Sequence, residues 1–204
     1  MASTFVNDLR LNEMATGDQS GSWGTVTNTN LELIGEAFGF GTEAITTNAN
    51  THTTTIADGQ ADPGRSMFLK YTGALDSACT ITIGPNTVSK MWFIENATTG
   101  SQNIIISQGS GANITISAGQ TKAVYSNGAG SGAAFVDAFN SLSVGTLTGT
   151  TGTFSGAVSL GGIAYPTSDG SSGQALVTNG SGTVSFGSAG ISTGKAIAMA
   201  IVFG

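Results

Sequence analysis

The sequence predicts a mainly β protein. A short N-terminal helix precedes a small antiparallel β-sandwich or jelly-roll-like domain, a β-rich trimeric shaft and a C-terminal hairpin region. Short stretches rich in Val, Ile, Thr and aromatic residues recur about every 8 to 12 residues, a spacing typical of such domains. Asp-Gly, Asn-Gly and Gly-Pro pairs separate these stretches and form turns. Only 9% of the 204 residues are charged, against about a quarter in ordinary globular proteins, so the surface depends on Thr, Ser, Asn and Gly.

The first segment, residues 1–41, carries the densest charge and the one clear helical pattern. A Thr or Asn between Thr27 and Asn30 can cap a short helix, which Gly39 and Gly41 then end. Trp23 lies between glycines and is interpreted either as the filler of a small local core or as a docking contact. Apolar residues of the predicted helix share one face, formed by Leu31, Ile34, Ala37 and Phe38. We therefore predict a docking segment whose candidate contacts are Trp23, Leu31, Ile34 and Phe38.

The sandwich is predicted for residues 42–139. Cys79 is the one cysteine of the chain, so we expect no intrachain disulfide and a buried apolar role for this side chain. Alternate residues of a strand share a face, which predicts a core made of Phe68, Ile81, Ile83, Trp92, Ile94, Ile104, Ile106, Ile114, Ile116, Val124 and Phe135.

The shaft segment, residues 140–162, has too few apolar residues to build a core alone. It repeats Gly-Thr followed by an apolar residue, and it contains neither charge nor proline. A single strand of this kind cannot offset the entropy lost on ordering. Three copies around a shared axis could each contribute one apolar edge. The predicted trimer contacts are Val144, Leu147, Phe154, Val158 and Leu160.

The C-terminal β region, residues 163–204, contains a predicted hairpin with Leu176 and Val184 on its strands and Asn179-Gly180 in its turn. The apolar tail that follows is either a last buried strand, packed within its own chain or exchanged within the trimer, or a segment that inserts into a partner. Its longest apolar run, Ala196 to Phe203, is far shorter than the roughly 20 residues of a membrane helix. We therefore expect no membrane insertion.

The net charge and the N-terminal sequence restrict the classes of function. The net charge is -6 and the isoelectric point is near 4.4, which argues against nucleic-acid binding because phosphate contacts need a basic patch. The N-terminus lacks the basic and apolar regions of a secretory signal. The sequence thus predicts a protein made in the cytoplasm, without a nucleic-acid partner.

Candidate chemistry is sparse. His52 has no neighbours at zinc or iron spacing and is expected at the surface, with no metal bound. Asp58, Asp62 and Glu95 are the candidates for a paired-carboxylate glycosidase, although turn and strand-edge roles explain them better. No nucleophile elbow or phosphate-binding loop occurs, so neither catalysis nor a cofactor is predicted. Aromatic candidates for a sugar site are Tyr71, Trp92, Tyr125 and Tyr165, with core packing favoured for Trp92.

Two long stretches carry a family resemblance. Residues 5–59, beginning FVNDLRLNEMATGDQSGSWG, and residues 65–116, beginning RSMFLKYTGALDSACTITIG, resemble the N-terminal parts of tail-fibre proteins of marine and cyanobacterial tailed phages. Residues 145–187 are similar to the shaft-like linkers of phage fibres, a signal of simpler composition. The resemblance implies a homotrimer of the virion, whose N-terminal part docks on a tail, nozzle, adaptor or baseplate protein. Its distal part would meet the host surface, where a glycan is a candidate partner.

The favoured hypothesis is therefore a non-enzymatic structural tail-fibre protein with a role in host attachment. One departure is that the chain has 204 residues, whereas many fibres continue into a long receptor-binding tip. A fibre adaptor, or a decoration protein without receptor contact, is an alternative. Another is a short tailspike that depolymerises polysaccharide through its acidic residues. A secreted adhesin-like lectin ranks below these because the N-terminus shows no secretion signal.

Overall fold

The computed structural model describes residues 3–46, 48–154, 156–190 and 193–203. These residues contain two α-helices, two short 3-10 turns and thirteen strands. The mainly β class is confirmed. The chain divides into two units, Met1–Ser143 and Val144–Gly204. The first unit contains α1 (Trp23–Ala37), β1 (Phe40–Ala44), β2 (Thr51–Thr55), β3 (Phe68–Thr72), β4 (Cys79–Gly84), β5 (Met91–Asn96), β6 (Ile104–Ser107), β7 (Ile114–Ile116), β8 (Thr121–Ser126) and β9 (Phe135–Asp137). The second contains β10 (Ser159–Leu160), β11 (Ile163–Ala164), β12 (Gln174–Thr178), β13 (Val184–Ser188) and α2 (Thr193–Phe203).

Helix α1 begins earlier than the sequence predicts. The expected cap between Thr27 and Asn30 is wrong, because the first helical bond joins Val26 N to Ser22 O. The helix ends at Ala37 before Gly39, as its stop signals suggest. Its buried residues are Leu33 and Ala37. Of the predicted apolar face, Ala37 is therefore buried and Ile34 partly buried, whereas Leu31 and Phe38 are exposed.

Two sheets enclose the core of the first unit. The five-stranded sheet has the order β1-β3-β5-β8-β9 and the four-stranded sheet has the order β2-β4-β6-β7. From β1 to β6 the chain alternates between the two sheets, so each pass adds one strand to each sheet. This arrangement places every new strand beside the one laid down two elements earlier.

The predicted antiparallel pairing holds for only part of this sandwich. Strands β6–β7, β5–β8 and β8–β9 are antiparallel. The pairs β1–β3, β3–β5, β2–β4 and β4–β6 are parallel, and there the prediction is wrong. The cause is the alternation between sheets. After one strand in each sheet the chain returns to the first sheet, and the new strand runs in the same direction as its neighbour there. Short strands at even spacing have the same sequence pattern whether they pair in parallel or antiparallel.

The core consists mainly of the residues expected from the sequence. Cys79 and Trp92 are fully buried, which confirms the interpretation of both, and Ile114 packs against the core from a partly buried position. Phe68 is the exception. In β3 the inward residues are Leu69 and Tyr71, so the predicted alternation is out of phase by one residue. The other predicted core residues are all buried, namely Ile81, Ile83, Ile94, Ile104, Ile106, Ile116, Val124 and Phe135.

Glycines allow the corners of successive passes to stack closely. Thr99 N donates to Gly73 O over 2.8 Å and Leu75 N donates to Thr99 O over 3.0 Å. Gly73 and Gly100 both have positive φ, +120° and +96°. A Cβ atom at Gly100 would overlap the carbonyl oxygen of Leu75, and one at Gly73 that of Ile45. Only glycine meets both requirements, the backbone angle and the close approach.

The second unit contains the predicted hairpin. Strands β12 and β13 pair antiparallel with Leu176 opposite Phe186 and Thr178 opposite Val184, which confirms it. The apolar tail is a helix, α2, in place of the last strand considered from the sequence. Strands β10 and β11 form a second, two-residue hairpin across Gly161 and Gly162.

We expect Gly100→Ala to lower the free energy of unfolding by at least about 2 kcal/mol. An L residue at positive φ is strained by about 1 to 2 kcal/mol, and relief of the overlap with Leu75 adds to this. Urea unfolding of the full chain measures the change. Gly132→Ala is the matched control, because φ there is not positive and open space surrounds the added methyl group. Equal stability of the two variants would contradict the stacked corners.

Candidate functional site

The shaft segment exposes most of the residues predicted to form trimer contacts. Leu147 is 78% exposed and Phe154 is 68% exposed. Val144 and Leu160 are also exposed, whereas Val158 is partly buried. The described residues between 144 and 157 lie outside helices and strands. These side chains are therefore available to other chains, and trimer formation stays a prediction.

The second unit exposes its side chains at least in part. Among the side chains described between residues 144 and 203, none is buried. Helix α2 is apolar from Ala196 to Phe203, and a helix that is apolar all round is normally buried. Exposure of apolar surface is unfavourable by about 25 cal/mol per Å². In α2 the exposed large apolar residues are Ile197, Met199, Ile201, Val202 and Phe203.

The candidate docking residues form a stripe along α1 and its C-cap residue, Phe38. Trp23 is 67% exposed, Leu31 is 60% exposed and Phe38 is 72% exposed, while Ile34 is partly buried. At about 100° per residue the four fall within an arc of about 80°. The interpretation of Trp23 as the filler of a local core is wrong. Docking through this stripe stays a prediction.

A buried arginine fixes the end of α1 on the sandwich. Arg65 is fully buried at the end of the 3-10 turn Pro63–Arg65. Its Nη2 donates to Ala57 O and Gln60 O, both over 2.7 Å, and to Asp62 Oδ2 over 2.9 Å. Its Nε lies 3.6 Å from Glu36 Oε2, an ion pair too long for a hydrogen bond. Asp62 N donates to Glu36 Oε1 over 2.9 Å, so two contacts hold the last turn of the helix.

Lys90 completes this group of charges, which we call the Arg65 cluster (Glu36, Asp62, Arg65 and Lys90). Its Nζ donates to Arg65 O and lies 4.9 Å from the centre of the Trp92 ring. Burial lowers the pKa of Lys90 to about 8, because desolvation disfavours the ammonium ion. Burial also raises the pKa of Glu36, although the hydrogen bond from Asp62 N opposes this. Arg65 was not among the predicted site residues. The signal that could have indicated it was a basic side chain at a Pro-Gly turn in a chain with few charges.

His52 lies at the edge of the sandwich and is partly buried, so its predicted surface position holds only in part. Its side chain is 19% exposed and its Nε2 is 2.7 Å from Glu43 Oε1, which joins β2 of one sheet to β1 of the other. Beside this pair, the hydroxyls of Thr54 and Tyr71 are 2.7 Å apart. Burial raises the pKa of Tyr71 and keeps the phenol protonated. The described residues contain no group of three His, Cys, Asp or Glu side chains able to hold a metal ion.

The three carboxylates considered for glycosidase chemistry have separate partners. Asp58 Oδ1 is 2.7 Å from Arg10 Nη2. Glu95 Oε1 is 3.3 Å from Lys70 Nζ. Asp62 caps the turn before Arg65 by accepting from Arg65 N over 2.8 Å. The structure therefore gives each of them an ion-pair or capping contact.

The aromatic candidates for sugar binding are divided by burial. Tyr71 and Trp92 are fully buried, which leaves neither ring face for a ligand and confirms the core role favoured for Trp92. Tyr125 is exposed on β8, and Tyr165 is partly exposed after β11. Sugar binding at these two tyrosines stays a prediction.

Among the described residues no helix has both the length and the apolar character needed to cross a bilayer. Comparison of the chain with protein-family models, with curated proteins and with solved structures gives no match.

We expect the protein to become more stable between pH 7 and pH 9.5, and Lys90→Met to weaken this trend. With a folded pKa of about 8 and an ordinary value of 10.5, the unfolded chain binds more protons in this interval. Stability therefore rises with pH, by up to about 2 kcal/mol. Urea unfolding at several pH values measures the slope.

Lys70→Met is the matched control for this experiment, because Lys70 is partly exposed and paired with Glu95. It should keep the slope of the unmodified protein. An equal slope in the Lys90→Met variant would show that Lys90 is not desolvated in the fold.

Proposed function

We propose that the chain is a non-enzymatic, homotrimeric structural protein of a phage tail fibre, docked to the tail through its N-terminal segment and active in host attachment. The observation that carries the proposal is the lack of buried side chains among the described residues from 144 to 203. A segment that exposes Leu147, Phe154 and the apolar residues of α2 needs other chains to cover it. The resemblance of residues 5–116 to phage tail-fibre proteins is the reason for proposing a phage virion as the location of this protein.

Three copies suit the shaft segment better than a partner of another kind. It is uncharged between Asn140 and Ser168, so identical copies can approach without repulsion. Its Gly, Ser and Thr residues are small enough for three backbones to lie close together around an axis. Each copy then contributes the same thin apolar edge, as in other repeat-built assemblies.

The first unit is suited to tail docking. It forms a core of its own, in contrast to the second unit. The apolar stripe on α1 is anchored by the Arg65 cluster at Glu36, and so presents Trp23, Leu31 and Phe38 on a fixed support. Aromatic and large aliphatic side chains of this kind are typical centres of protein interfaces.

We expect the full chain to have the solution mass of a trimer, and the double variant Leu147→Asn with Phe154→Asn to lose it. Polar side chains at both positions would remove the apolar edge that the copies share. Light scattering measures the mass. The double variant Thr150→Asn with Thr153→Asn is the control, since it changes neighbouring polar positions. A monomeric full chain would overturn the proposed trimer.

We expect Trp23→Ser with Leu31→Ser to reduce incorporation of the protein into virions by at least about tenfold, without changing its solution mass. Loss of two central apolar contacts weakens an interface by several kcal/mol. Quantification of the protein in purified virions after complementation measures the effect. Asn28→Ser, at an exposed position of the same helix outside the stripe, is the control. Normal incorporation of the double variant would place docking elsewhere.

A further inference from the structure

The two sheets of the first unit have outer faces of opposite character. On the four-stranded sheet the outward residues are nearly all hydroxyl-bearing, namely Thr51, Thr53, Thr55, Thr80, Thr82 and Thr115, with Ile105 among them. On the five-stranded sheet the outward residues include Phe40, Phe68, Met91, Phe93, Tyr125 and Val136, and the buried Ala123 lies in the same surface. We call this second surface the aromatic face. A hydroxyl face is well solvated, whereas a contiguous exposed apolar patch is often functional.

The aromatic face contains an in-register row. Phe40 lies opposite Phe68, Phe68 opposite Phe93, and Phe93 opposite Ala123 on four neighbouring strands. The rings of Phe40 and Phe68 stack with centroids 5.1 Å apart and planes inclined by 20°. Phe40 is nevertheless 60% exposed. The stacking fixes ring positions before any partner arrives, which reduces the entropy lost on association.

Polar residues border this row without adding net charge. The next row of outward residues contains Lys70 and Glu95, which face each other in register and form an ion pair of 3.3 Å. Thr42 and Thr121 continue that row on the neighbouring strands. The face thus has an apolar centre and a neutral polar margin, the usual anatomy of a protein interface.

We infer that the aromatic face is a second self-association surface, at which three copies of the chain meet around a common axis. The inference rests on the trimer of the proposed function and assigns it a new contact. Each copy carries a net charge of -6, so copies repel one another wherever acidic residues meet. A neutral apolar face avoids that repulsion, and residues close to a threefold axis meet their own equivalents, as a row of identical phenylalanines allows.

The size of the face defines its role. Five strands spaced by about 4.8 Å, each about 17 Å long, give a face roughly 19 Å wide. This is on the order of 300 Å², less than the roughly 800 Å² that each partner buries in a standard interface. The aromatic face therefore adds to the contacts of the shaft segment and does not replace them.

The test is thiol cross-linking of the full chain. Phe68→Cys places a thiol at the centre of the aromatic face, and Tyr125→Cys is a second position in case the first variant does not fold. Thr53→Cys, exposed on the outer face of the other sheet, is the matched control. The native Cys79 is fully buried and does not react. A short bismaleimide is added at low protein concentration and covalent dimers are quantified.

We expect at least about tenfold more covalent dimer from the aromatic-face variants than from Thr53→Cys, with all three proteins trimeric by light scattering. A trimeric protein without this excess overturns the aromatic-face contact and leaves the proposed trimer intact. A monomeric protein overturns both. A cross-link from the aromatic face to a different protein in virions, in place of the covalent dimer, also overturns the inference and assigns the face to tail docking.

Discussion

The buried guanidinium of Arg65 is the interaction on which the arrangement of the first unit depends. One side chain contacts the carbonyls of Ala57 and Gln60, the carboxylate of Asp62 and the carboxylate of Glu36. It thereby closes the long connection from β2 to β3 and holds the end of α1. Removal of one partner from such a buried group is strongly destabilising because the remaining charge is left uncompensated. The candidate docking stripe thus owes its support to the contacts of Arg65 and Asp62 with Glu36 at the end of α1.

The same cluster links the helix to the core. Gly64, within the turn that presents Arg65, accepts a hydrogen bond from Trp92 Nε1 over 2.8 Å. Lys90, two residues before Trp92, donates to Arg65 O. Strand β5, the turn and the helix are therefore coupled, although they are distant in sequence. A change of charge in the cluster affects the support of α1 as well as local packing.

Sequence reasoning predicted the strands and the hairpin well, because both depend on local alternation and turn residues. Leu176, Val184 and the Asn179-Gly180 turn illustrate this: neighbours in the chain are neighbours in the hairpin. Parallel pairing of β1 with β3 was not predictable in this way, since it depends on the connection between them passing through the other sheet. The phase of β3 was missed because Phe68, Leu69 and Tyr71 are all apolar, so alternation alone does not choose the inward face.

The candidate interaction surfaces were predicted less evenly. Exposure of Val144 and Leu147 follows from composition, whereas the outward position of Trp23 depended on which side of α1 meets the core, and Leu33 and Ala37 take that side.

The distribution of charge connects these surfaces. Eleven of the twelve acidic residues and five of the six basic residues precede residue 144, so the first unit carries the net charge and the second is neutral. Repulsion between copies is screened within about 8 Å at physiological ionic strength, and it therefore acts only where first units come close. In a trimer the neutral second units bring the copies together without this repulsion. The first units can approach without this repulsion at a neutral surface. The aromatic face is neutral and apolar, whereas the hydroxyl face of the other sheet is neutral but well solvated, and the regions near Glu13 and Glu32 are acidic.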